Sequence, residues 1–478
     1  MDRISQPDSQ RAFFGLLGLC LAAIAAKTLF LAPLPEFGGD AAQKWFLAKD
    51  LAQGSLDVFR AQDVINHHYL RWGTWVLPVA LISGFGDTVV LYFLSTALPA
   101  ALAAGIFLQV FYRQFGFIVA ALIAVIWFFD PQINRASFQL LPTGASLLPL
   151  ALMVWMIQRF LEGRLSDRAL MLWMAALLFW LYGAKETNIF FAPGVFFAVW
   201  ALSGMRFAFG LTAICLGLYA IEAVILSAMV GEALWGGRLL ALVSGDAKHL
   251  AGMLEQQHLI AEQEALWDAG ILSRWYSVFY IHIPIYIPSI LAFGGVILAY
   301  LRKRPEEPTA WLAFALSLIA LSFVLLTSFF ILSLDPVRLG QPIRSRYIAI
   351  LLPLSAFILI FVIRQIAIRR VLGTIGLLGL VALVMGGALY GLTDRTYRSA
   401  ALLEIYNGLN FKYAPRQSLS GWATHYETFG KELPAVYCDL EELDFKRLYF
   451  GVMYVPTQEG AADRLARLIE CPQAAKFR

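Results

Sequence analysis

The sequence predicts an all-α protein that crosses a membrane many times, followed by a small α+β domain at its carboxyl end. Three observations predict it. Hydrophobic residues make up 59% of the chain and charged residues 15%, where a soluble domain runs near 25% charged. Mean hydropathy is +0.68. Apolar runs of about 20 residues, the length a helix needs to cross a bilayer, recur along residues 13–392. A large soluble bundle would need polar helix faces, and these runs largely lack them.

Taken in order, the first apolar run covers 13–33. The polar residues 1–10 lead into it without a small-residue cleavage site, so this helix is expected to be retained. Residues 34–86 form the first outer segment. Within it, 40–53 has helical spacing. Ala41, Trp45, Ala48 and Leu51 fall on one side, while Gln43, Lys44, Lys49, Asp50 and Gln53 are polar, which suits a helix lying at the membrane surface. The run 72–85 is apolar but short, and reads as interfacial or re-entrant. Further runs follow at 88–112, 117–129, 144–160, 169–182, 189–202, 207–230, 278–300, 309–332, 347–363 and 371–392, giving about eleven spans. The long loop 231–276 shows helical spacing and is expected to lie over the outer mouth. Residues 393–478 turn polar, with strand-like runs at 435–437 and 448–454 and a helical pattern at 461–469.

The chain therefore divides into a membrane domain, 1–392, and an extramembrane domain, 393–478. Cys20 and Cys215 fall in apolar runs as small buried hydrophobes; Cys438 and Cys471 can pair if the tail meets an oxidising compartment. Net charge is +4 with Lys and Arg in short clusters, so no basic stripe marks a nucleic-acid partner.

Short basic loops orient the spans. With Arg3 and Arg11 cytoplasmic, alternate loops hold Arg113; Arg159, Arg164 and Arg168; Arg206; Arg302, Lys303 and Arg304; and Arg364, Arg369 and Arg370. Every clearly basic short loop lands on that side. The other side receives 34–86, 130–143, 184–188, 231–276, 335–346 and the tail. For a bacterial inner membrane that side is periplasmic. Lys44, Arg71, Arg338, Arg344 and Arg346 are the cations there that need a reason.

Ionisable groups at span ends are costly unless they work. On the outer side these are Asp40 after Gly38-Gly39; Asp130 before Pro131; Lys185 and Glu186 in a short turn; Arg344 and Arg346; and His67, His68, Tyr69 and Arg71. Each has a plainer role. Asp40 is a good helix cap, Asp130-Pro131 ends a span, Lys185 and Glu186 form a local ion pair, the histidines are interfacial, and the arginines reach to headgroups. The sharper reading gives Arg344 and Arg346 a phosphate, gripped bidentately. A divalent ion such as Mg or Mn, held by Asp40, His67 and His68, is the metal the residue types allow.

In this order and topology the chain resembles the GT-C superfamily of polyprenyl-phosphate-sugar-dependent glycosyltransferases. The resemblance rests on an acid soon after the first span (Asp40), the stretch His67-His68-Tyr69-Leu70-Arg71-Trp72, the turn Asp130-Pro131 with Ser137 and Pro142, the turn Lys185-Glu186, and Arg346-Tyr347 with Pro353. It covers residues 10–390 and is closest to protein mannosyltransferase-like and lipid A aminoarabinose transferase-like enzymes. It implies a lipid-phosphate-linked sugar donor, a lipid, glycan or protein acceptor, and inverting transfer. Asp40 or Asp130 would be the base. Arg346, Arg344, Lys185 and Arg71 would bind the donor phosphate, and His67, His68, Tyr69 and Glu186 would position substrate. One departure matters: Asp40 is followed by Ala41 and Ala42, where such enzymes often carry a second acid, which weakens a metal role for this loop. The competing class is a transporter or flippase of a lipid-linked substrate, favoured by Glu222 inside an apolar run.

Overall fold

A computed structural model of the chain describes residues 7–31, 40–56, 70–87, 89–129, 133, 139–230, 276–329, 331–334, 337–339 and 349–367. In chain order these form α1 (Pro7–Leu31), α2 (Asp40–Ala52), α3 (Trp72–Phe85), α4 (Val89–Phe115), α5 (Phe117–Phe129), α6 (Pro142–Leu161) and α7 (Asp167–Ala184). A 3-10 turn (Glu186–Phe191) leads into α8 (Ala192–Ser203), then α9 (Met205–Val230), α10 (Tyr276–Arg302) and α11 (Pro308–Phe329). A two-stranded hairpin of β1 (Ile331–Leu334) and β2 (Val337–Leu339) precedes a 3-10 turn (Ala349–Leu351) and α12 (Leu352–Ala367).

The protein is helical and membrane-like, as its apolar runs demand. Among the described residues five helices are long and apolar enough to cross a bilayer: Val90–Phe115, Pro142–Leu161, Glu186–Ser203, Met205–Met229 and Pro308–Ser328. Shorter apolar helices are Gln10–Ile24, Trp72–Phe85, Pro288–Arg302 and Ala349–Gln365. The span expected at 371–392, the loop 231–275, the tail domain and Cys438 and Cys471 lie outside the described residues.

Side-chain contacts gather the basic loops at one end of the bundle. Arg113, near the end of α4, meets Glu162, just past α6, at 3.0 Å. Thr309, at the start of α11, donates to Gln114 at 2.7 Å. Arg364, late in α12, donates to the carbonyl of Phe115 at 3.1 Å. Ends that the charge pattern grouped together in sequence thus share one end in space. From there α4, at 27 residues, runs roughly 40 Å to the opposite end. Helix α1 lies antiparallel on it, with Phe13 stacked on Tyr112 at 4.2 Å between ring centres.

Local chemistry explains the helix ends. Helix α6 stops at a glycine: Gly163 takes φ +71°, its N–H returns to Phe160, and the N–H of Arg164 returns to Arg159. Ser166 then caps α7, accepting from the Ala169 N–H at 3.3 Å, and Asp167 occupies the first turn. The core joins α1 to α4–α12. Phe191 stacks on Phe323 across it, with 4.3 Å between ring centres. Gly194 lets α8 cross α11 closely, for a Cβ there would sit 2.4 Å from the Leu318 carbonyl oxygen.

Two expectations need correction. Helix α2 forms at 40–52 as the spacing predicts, but its polar side does not simply face outward: Lys44 is fully buried, along with Trp45 and Ala48. The reason is its place on the helix: Lys44 lies three residues after Ala41 and four before Ala48, on the face that α3, α4 and Leu140 cover. The run 309–332 is also not helical to its end, since pairing of Ile331 with Leu339 makes residues 331–334 a strand.

Candidate functional site

At the end away from the basic loops, three consecutive residues of one segment dock onto two other helices. Arg71 precedes α3. Its Nε donates to both carboxylate oxygens of Glu186 (3.1 and 3.0 Å), and its Nη2 donates to Oε2 at 2.9 Å. Both residues are buried, at 8% and 2% exposure. Glu186 reaches this position because α7 ends at Ala184, Lys185 turns extended, and a 3-10 turn opens at Glu186. Arg71 is thereby explained as an outer-side cation: it has a carboxylate in reach. The sequence suggests a local pairing of Glu186 with Lys185; the structure pairs Glu186 at long range, with Arg71.

Trp72 follows. Its indole N–H donates to Glu222 of α9, which is also buried. Its ring lies 5.0 Å from that of Phe179 and rests on Gly183, where any Cβ would strike the indole. Gly73 completes the contact, since a Cβ there would come within 2.6 Å of the Ala184 backbone nitrogen. Backbone of α3 and α7 touch here, and only glycine permits it. Gly73→Ala is therefore expected to lower stability by about 1–3 kcal/mol through overpacking. Thermal unfolding of the purified protein checks this, and an unchanged midpoint would show that the two helices part freely.

One turn away the chain builds a small polar cleft. Thr143, Ser146, Lys185, Asn188, Phe323 and Ile350 line it, with room for about one water molecule. Asn188 is fixed by two hydrogen bonds from its Nδ2, to Ser146 Oγ (2.7 Å) and to the Leu181 carbonyl (2.8 Å). Ser146 in turn donates to the Pro142 carbonyl at 2.6 Å. Thr143 and Ser146 belong to the first turns of α6, where backbone N–H groups carry partial positive charge. The Lys185 ammonium and the amino end of α6 give the cleft its positive character, while Asn188 and Ser146 spend their donor hydrogens on the bonds above and act as its frame.

No family model matches the chain, and no curated protein matches it in sequence.

Helix α2 begins at Asp40, at the same end of the bundle as this cleft. Ala41, the next residue, shares a hydrophobic cluster with Leu140, two positions before α6. Leu47 shares another with Leu70 and Leu226. The helix is tied at its other side by Asp87, in the α3–α4 turn. That carboxylate accepts from Trp45 Nε1 at 3.2 Å and pairs with Lys49 at 2.7 Å. Of the residues singled out from sequence, Asp40, Arg71, Lys185 and Glu186 therefore occupy one end of the bundle. Asp130, His67, His68, Tyr69, Arg344 and Arg346 lie outside the described residues. Among the described residues no three His, Cys, Asp or Glu side chains gather as a metal site would require. Sequence reasoning missed Thr143, Ser146 and Asn188 as a group. The signal available was Asn188 in the same short turn as Lys185, and Pro142-Thr143 as a helix start.

Proposed function

We propose that the chain is an integral membrane glycosyltransferase that moves a sugar from a polyprenyl-phosphate donor to an acceptor hydroxyl. The observation that carries this reading is the Lys185 ammonium in a cleft at the amino end of α6, framed by Ser146 and Asn188, at the same end of the bundle as the helix that starts at Asp40. In this reading about eleven helices cross a bacterial inner membrane. The basic end is cytoplasmic by the loop-charge rule, and the cleft faces the periplasm with the carboxyl domain.

The reaction is one inverting displacement. The acceptor oxygen attacks the anomeric carbon, its proton passes to Asp40 or Asp130, and the bond from the anomeric carbon to the phosphate oxygen breaks with the electron pair leaving on phosphate. The transition state is oxocarbenium-like, and cations fixed beforehand near the leaving phosphate lower the barrier. Lys185 serves there first, joined by Arg344 and Arg346, with Arg71 behind it. His67, His68 and Tyr69 position the sugar or the acceptor, and Glu186 contributes through Arg71, which it holds in place. If a divalent ion such as Mg or Mn takes part, Asp40 with His67 and His68 would hold it.

The test is a panel of polyprenyl-phosphate sugars incubated with the purified protein, with donor consumption and free polyprenyl phosphate measured. One donor should be consumed in preference to the others. If none is bound or turned over, the reading falls. One observation favours a second reading, a transporter or flippase: Glu222 is a buried carboxylate within a long apolar helix. Substrate flux across proteoliposomes without breakage of the sugar–phosphate bond would select that alternative.

A further inference from the structure

The basic end of the bundle holds a second cluster, remote from the cleft. The glycine stop after α6 folds Arg164 back over Arg159 and sets Glu162 between them. Arg113 comes from the last turns of α4 and places Nη1 3.0 Å from both oxygens of Glu162. Arg159 Nη1 and Arg164 Nε each lie 3.5 Å from the same carboxylate. Arg364 of α12 sits alongside, donating to the carbonyls of Gln114 and Phe115 at the end of α4 and lying 5.4 Å over the Phe115 ring. Three guanidinium groups thus surround one carboxylate, and a fourth, that of Arg364, sits at the adjoining end of α4. The nearby Lys303 already pairs with Glu306 at 2.9 Å. The cluster faces outward, with Arg164 the most open at 56% side-chain exposure. It lies where α4, α6 and α12 end. Beside it α5 opens with the exposed apolar residues Phe117 and Ile118, and Arg159 stacks 5.7 Å over Trp155.

We propose that this cluster binds the headgroup of an anionic phospholipid. The excess positive charge is held at the ends of apolar helices, at the depth where lipid phosphates lie. Guanidinium forks match phosphate oxygens in pairs, and basic pockets between helix ends are suited to multiply charged headgroups. The exposed Phe117 and Ile118 supply apolar surface for the acyl chains. Glu162 acts as a spacer: it keeps three arginines together when no lipid is present and is outnumbered when one arrives.

The test uses the full purified chain in nonionic detergent, titrated separately with cardiolipin, phosphatidylglycerol, phosphatidylcholine and inorganic phosphate. Thermal midpoint and lipid retained in native mass spectrometry are the readouts. Cardiolipin should raise the midpoint saturably and stay bound, while phosphatidylcholine does neither. The double variant Arg164→Gln/Arg364→Gln should weaken the apparent affinity roughly 30-fold, about fivefold for each arginine. Arg164→Lys/Arg364→Lys should fall between the wild type and the glutamine variant, since it keeps the charge and loses the fork. Glu162→Gln should shift affinity the other way, tightening it. The proposal is overturned if phosphatidylcholine or inorganic phosphate stabilises as much as cardiolipin, if the double variant titrates like the wild type, or if Glu162→Gln weakens binding as the arginine variants do.

Discussion

Arg71→Ala should cost the protein about 3–5 kcal/mol of stability, because it leaves Glu186 buried with its main charge partner gone. With Glu186 at 2% exposure, little water can reach the carboxylate to replace three hydrogen bonds. Glu186→Ala should do comparable damage by stranding the guanidinium. The double substitution Arg71→Met/Glu186→Leu should be much milder than the sum of the two, since removing both charges also removes both desolvation costs. Thermal or denaturant unfolding of the four proteins in detergent measures this. Additive single effects would mean that the pair is wetter than its burial implies. A lesser loss is expected for Trp72→Phe, which keeps the ring on Gly183 but leaves Glu222 without the indole donor.

Asp40→Asn should abolish sugar transfer while leaving the fold intact. Asp40 is the first residue of α2, so its plain role is that of an acid in the first helical turn. Asparagine caps as well as aspartate does, and the lost interaction with the helix dipole is worth only about 0.3–1 kcal/mol. A base removed from a proton transfer costs about a hundredfold to ten-thousandfold in rate. The two roles therefore separate cleanly. A capping residue would give a small drop in unfolding midpoint and normal turnover; a base gives the reverse. The measurement is initial transfer rate beside thermal midpoint, on a donor that the wild type consumes. Retained turnover would pass the assignment to Asp130.

Much of the bundle was legible in the sequence because bilayer thickness sets the length of an apolar run. Helix α5 falls on 117–129 as its apolar run does, and α2 starts at Asp40 as its spacing indicated. Loop charges grouped Arg113, Arg159, Arg164 and Arg364 before contacts did. What escaped was any feature decided between distant segments. Arg71 and Glu186 stand 115 positions apart, and no periodicity records that they pair. The burial of Lys44 had a different cause: three residues after Ala41 and four before Ala48 it shares their face, and its charge obscured what the spacing implied. Gly73 and Gly183 were lost among many glycines, because the need for a missing Cβ exists only once α3 meets α7. The short hairpin escaped because its apolar residues extended the run of α11.

The turn residue Asp87 gives the arrangement a mechanical character. It holds both Trp45 and Lys49 of α2, while the opposite end of α3 is keyed to α7 and α9. Helix α2 consequently has few independent degrees of freedom, and α3 works as a connecting rod whose two joints are polar. A tilt of α7 against the bundle would be delivered, through that rod, to the helix that begins at Asp40.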